Sequence, residues 1–241
     1  MKKLSHVIMV GLFLGACGSD GPSFGPEADP TPAQQTTIMS TSEALSTLAM
    51  ADVQGQAAGV AAIGFALGAQ TLIDASSTAR SAQRPIDAEM PAPLESLSAT
   101  LRRVPRLDCA VASPNSIVWD HCTEQDGTTI DGMISWSPGH VEVDLHITVT
   151  SEDLHGTYSL VGSMTVSASA IQSDMTVMLS FSGNGVSFSE TIQTKIDVQL
   201  SNSCVTSGTL TVTATGSGTG SRSGAVQVVW SGCNMFRIRK G

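Results

Sequence analysis

His140, Glu142, Asp144 and His146 alternate with Val141, Val143, Leu145 and Ile147 in the stretch His140–Thr150. Side chains alternate faces along a β-strand, so these four polar groups share one face, each about 6.6 Å from the next. A His-x-His or His-x-Asp pair on a strand can give one metal ion two ligands, with more from a neighbouring strand. Asp131 before the row and His155 after it are the nearest further candidates. A metal-binding protein or a metal-dependent hydrolase would use this face. Thr148 and Thr150 continue it without ligating groups, however, and charged residues on a strand are mostly just solvated. The row therefore reads first as the wet face of a sheet, and no cofactor is expected. Asp120-His121 would make an orienter–base pair, but it abuts Cys122 and lacks a Gly-x-Ser-x-Gly nucleophile elbow. Gly216 to Gly220 lies between two strands, so it is turn chemistry and not a phosphate-binding loop.

The elements that must position these residues follow from the same two-residue period. Val141, Val143, Leu145, Ile147 and Val149 form the dry face of the His140–Thr150 strand. Similar faces recur from Leu107 onward, for instance Tyr158, Leu160, Met164 and Val166, then Ile192, Ile196, Val198 and Leu200. Short turn signals such as Ser137-Pro138-Gly139 and Gly183-Asn184-Gly185 separate the runs. Short turns make neighbouring strands antiparallel, which predicts a meander of about eight to ten strands.

Upstream the period is helical. Ser40-Thr41-Ser42-Glu43 fits a capping box, and Leu45, Leu48 and Ala49 follow at helical spacing. Val53–Ile73 carries no charge, and Gly55, Gly59, Gly64 and Gly68 fall at four- and five-residue intervals. Such glycines allow close backbone approach in membrane helices. Ala and Gly supply little transfer energy, so a buried helix of the folded domain is the expected role. Leu94, Leu97, Leu101 and Val104 mark a further short helix ended by Pro105. The fold class is α+β, with N-terminal small-residue helices covering a large antiparallel β-meander, as a half-barrel, barrel or folded-over sheet.

The N-terminus has its own signature. Lys2 and Lys3 precede a short apolar run, Val7 to Leu14, and then Leu14-Gly15-Ala16-Cys17. This motif resembles the lipobox of bacterial lipoproteins. The resemblance implies that residues 1–16 are a signal peptide and that Cys17 becomes an acylated N-terminus. Gly18, where retained inner-membrane lipoproteins often have Asp, implies outer-membrane sorting. Residues 17–39 are then a lipidated, Pro-rich tether, residues 40–105 a helical segment, and residues 106–241 the sheet. Two or three acyl chains hold durably where one is marginal. The eight apolar residues are too few to span a bilayer, which needs about 20.

An envelope location also gives the remaining cysteines a reason to pair. Cys109 and Cys122 are symmetric about Pro114-Asn115-Ser116, and Cys204 and Cys233 about the glycines near Gly218. Cysteines that oppose one another across a hairpin meet the distance a disulfide needs, so these two pairings are predicted.

Charge limits the partners. The 241-residue chain has net charge −9, which becomes −11 once Lys2 and Lys3 are removed. Between Leu107 and Thr194 there are 11 acids and 4 histidines but no Lys or Arg. Nucleic acid is excluded as a partner, because phosphate backbones need a basic face. The expected function is a membrane-anchored envelope lipoprotein with a non-catalytic binding or structural role. Its partners would be the membrane through Cys17, and an apolar ligand or another envelope protein.

Overall fold

The computed structural model describes residues 22–50, 109–123, 127–150, 154–183, 185–218, 221 and 223–241. Among the described residues one helix, α1 (Pro32–Met50), precedes ten strands. These are β1 (Val111–Ser113), β2 (Ser116–Thr123), β3 (Thr128–Ser137), β4 (His140–Thr150) and β5 (Leu154–Val166). They continue with β6 (Ala170–Gly183), β7 (Val186–Ser201), β8 (Cys204–Gly218), β9 (Gly224–Gly232) and β10 (Met235–Lys240). Every strand pairs antiparallel with its neighbours in sequence, in the order β1 to β10. The expected meander is therefore present. The sheet is open and not a closed barrel: β1 and β10 are its two edges.

The alternation that specifies the strands also sets their burial. On β4, Val141, Val143, Leu145 and Ile147 are buried while Glu142, Asp144 and His146 are exposed. A one-residue slip would exchange those faces, so the register is strongly fixed. Most buried dry-face side chains join a single core with Ile38, Leu45 and Leu48 of α1. Each fully buried Leu, Ile or Val contributes about 1.5–3 kcal/mol over its exposed state.

Two dry-face positions hold glycines closely approached by backbone. Gly162 of β5 (φ 151°) and Gly208 of β8 (φ 111°) have the next strand's backbone directly beneath them. A Cβ at Gly162 would stand 2.1 Å from the Asp174 carbonyl oxygen, and one at Gly208 2.1 Å from that of Asp197. Glycine kinks of this kind let a long sheet bend around what it covers.

The helix begins at Pro32 and not at Ser40. Thr31 is its N-cap: its Oγ1 accepts from the Gln34 N–H (3.4 Å), and Gln34 Oε1 accepts from the Thr31 N–H (2.9 Å). With Pro32 at the first helical position, this is an earlier and complete capping box. Ser40, Thr41 and Ser42 are interior, their hydroxyls donating to the carbonyls of Thr37, Thr37 and Ile38. Serine and threonine satisfy themselves this way when a helix runs through them. The helix packs on β8 and β6, and Trp230 of β9 donates its indole N–H to Ser42 Oγ (3.1 Å).

Residues before α1 are not free either. The Gly25 N–H donates to the Lys240 carbonyl (2.8 Å), and Ala28 exchanges two backbone hydrogen bonds with Ile238 (2.9 and 3.1 Å). Arg239 pairs with Glu27 (2.6 Å) and Arg237 with Asp29. The part of the expected tether from Gly25 to Asp29 thus covers the β10 edge, because its two acids match the two arginines there. Such cover protects an edge that would otherwise recruit another strand.

Both disulfides form as expected. Cys109–Cys122 and Cys204–Cys233 have Cα separations of 5.7 and 5.6 Å. The expected helices within residues 51–105, including Val53–Ile73, lie outside the described residues, as does Cys17. Among the described residues no helix is long and apolar enough to cross a membrane.

Candidate functional site on the wet face of β2–β4

A bulge in β2 builds this site. Trp119 pairs with Gly132 and Cys122 with Ile130, so the register shifts between them. Trp119 and Cys122 are both buried although three residues apart, and the intervening Asp120 and His121 both reach solvent. His121 takes the left-handed conformation (φ 49°) that the extra residue requires. Its N–H donates to Asp131 Oδ1 on β3 (2.6 Å), which locks the bulge to the neighbouring strand.

The bulge turns the His121 ring between two carboxylates. Nδ1 lies 2.9 Å from Asp120 Oδ1 and 3.1 Å from Asp131 Oδ1. The hydrogen bond that the ring donates to Asp120, then the charges of Asp131 and Asp120, hold the imidazole pKa above its usual 6.5. One ligand atom from each of Asp120, His121 and Asp131 falls within 4.8 Å of the others, the spacing of a three-ligand cation site. Asp131 also sits directly across from His146 of β4.

The β4 row divides into two pairs. His146 Nε2 lies 2.9 Å from Asp144 Oδ1, and His140 Nε2 lies 3.4 Å from Glu142 Oε1. His140 Nδ1 also meets Thr165 Oγ1 on β5 at 3.1 Å. His155 lies across from Thr150 at the far end of the row, its Nδ1 3.4 Å from Thr150 Oγ1. The row is thus coplanar but does not converge on a point. Asp131, considered as a ligand for the β4 row, instead joins the Asp120-His121 pair. The signal that could have found this was the interrupted alternation Ile117, Trp119, Cys122, with two polar residues in succession.

The chain matches no protein-family model, and no curated protein or solved structure proves similar to it. Chemistry must therefore be judged on geometry. The side chains of Asp120 and His121 are 90% and 83% exposed, so charge–charge effects there are screened by solvent. Farther along the wet face, Asp174 accepts from Gln193 Nε2 (3.1 Å) and pairs with Lys195 (3.3 Å), giving a shallow polar groove. On the dry face Leu145, Leu160, Val198 and Val228 each have 0% exposure.

Proposed function

We propose that this protein is a lipoprotein of the bacterial cell envelope, held in the outer membrane through Cys17, with a non-catalytic binding or structural role. One observation carries the reading. The chain has five cysteines, and the two disulfides use Cys109, Cys122, Cys204 and Cys233. Cys17 is the odd one out, and it stands in the motif Leu14-Gly15-Ala16-Cys17 that resembles a lipobox. Disulfides within hairpins also suit a compartment that keeps thiols oxidised. Its partner would be an apolar ligand or another envelope protein. Expression in a lipoprotein-processing bacterium with a clickable palmitate analogue tests this. The expected result is label on the wild type, none on Cys17→Ala, and an N-terminal peptide beginning at an acylated Cys17. An unlabelled protein retaining residues 1–16 would sink the reading.

The second reading is cation binding, favoured by the convergence of Asp120, His121 and Asp131. Protonation of His121 competes with a metal for the same nitrogen. Calorimetric titration with Zn²⁺ and Ca²⁺ should then show stoichiometric binding that Asp131→Asn removes, and flat traces would end this reading. For the row of His140, Glu142, Asp144 and His146, loss of binding in His146→Ala is the corresponding test.

A further inference from the structure

We infer that the protein stands end-on at its membrane, with the end of the sheet that holds Gly241, Gly218, Gly183 and Thr150 toward the lipid. This rests on acylation at Cys17. The observation behind it is where the N-terminal segment docks. Gly25 and Ala28 are hydrogen-bonded along β10, and Gly241 packs against Ser23 and Phe24. The described N-terminal segment therefore begins beside the C-terminal end of β10. Strands alternate in direction, so that end also holds the last residues of β4, β6 and β8 and the first of β5, β7 and β9.

Length then fixes the height. Ser23 is six residues from Cys17. In any conformation those six residues span at most about 22 Å. Strand β8 has 15 residues. At a rise of ~3.3 Å per residue it is about 45 Å long, twice the reach of the tether. The opposite end, with Ser169 and the Cys204–Cys233 disulfide, is then held far from the lipid unless the body lies on its side. Lying on the wet face would press Glu142, Asp144, Asp174 and Asp197 against phosphate headgroups, and like charges oppose that. The partner of the near end is the lipid surface itself, and the wet face is presented sideways to whatever else the envelope holds.

Energy transfer to a headgroup acceptor in phosphatidylethanolamine–phosphatidylglycerol vesicles tests this with the acylated full-length protein. The four sheet cysteines are oxidised and Cys17 is acylated, so one added thiol takes the donor dye. Ser217→Cys marks the near end and Ser169→Cys the far end. If either variant misfolds, Ser187→Cys and Ser201→Cys mark the same two ends on β7. Transfer from the near end is expected to be several-fold greater. Equal transfer from both ends would mean that the body lies flat, and greater transfer from the far end that it is inverted; either overturns the inference while leaving acylation intact. Mass analysis of the same sample reports acylation separately, and an unacylated Cys17 overturns both. Arg237→Glu with Arg239→Glu repels Asp29 and Glu27. Releasing this segment lengthens the tether, so the difference between the ends should shrink; an unchanged difference would show that docking on β10 does not set the orientation.

Discussion

Tyr158 is the one tyrosine in the chain, and its hydroxyl lies in the core with no hydrogen-bond partner among the described residues. An unsatisfied buried hydroxyl costs about 1–3 kcal/mol. Tyr158→Phe keeps the ring and removes that oxygen, so the variant should be at least as stable as the wild type. Denaturant midpoints check this, and a loss of more than about 1 kcal/mol would mean that the oxygen has a partner. Burial also pushes the phenol pKa well above 10. The folded protein thus keeps the proton that the unfolded chain releases. Stability is undiminished below pH ~10 and falls above it, by up to about 1.4 kcal/mol per pH unit. Phenolate absorbance should therefore appear together with unfolding, and phenolate forming in a folded protein would contradict the burial. His121 is the opposite case, a largely exposed group whose pKa its carboxylate neighbours raise. Its ion pairing is present below pH ~6.5 and fades as pH rises through the raised folded value. Asp120→Asn should lower the His121 midpoint in an NMR titration more than any change at Asp144. Asp120-His121 was recognisable in the sequence as a pair. Its third member was not, because only the bulge brings Asp131 to it.

Gly162 shows how an element depends on a missing side chain. Alanine there would place its Cβ 2.1 Å from the Asp174 carbonyl oxygen, and at a φ of 151° that L residues rarely adopt. Backbone must move to relieve the contact, so Gly162→Ala should lose about 3 kcal/mol or more in equilibrium unfolding. Gly156→Ala is the control, since the nearest atoms to its Cβ belong to the Phe181 side chain and not to backbone, and its φ lies outside the left-handed region. The strands themselves were legible because Val141–Val149 and its counterparts keep a strict period of two. Both disulfides were legible for the same reason, as hairpin symmetry decides which cysteines meet. The helix start was misplaced because two capping boxes compete within a dozen residues, Thr31 to Gln34 and Ser40 to Glu43. Tertiary contact selects the longer helix: Ile38, buried on the sheet, belongs to it and not to the shorter one.

At the scale of the molecule, the two ends of the chain protect one another. Glu27 and Asp29 lie in the expected tether, and Arg237 and Arg239 lie near the other end of the sequence. Their pairing across more than 200 residues of sequence makes them one device. Local patterning cannot reveal a contact of that span. The opposite edge is handled differently: β1 is only three residues long, and the Cys109–Cys122 disulfide closes its hairpin beside the β2 bulge. Short strands and bulges make poor templates for pairing, whereas β10 uncovered would expose six residues of free edge. A chain beginning at Thr31 keeps the helix cap but loses that cover. It should fold, since α1 and the core are intact, and then associate through β10 at concentrations where the longer chain is monomeric. Light scattering after size exclusion distinguishes the two, and Ile238→Pro in the shortened chain should restore the monomer by removing an outward N–H. A shortened chain that stays monomeric without that change would show that residues 22–30 are not what keeps the edge closed.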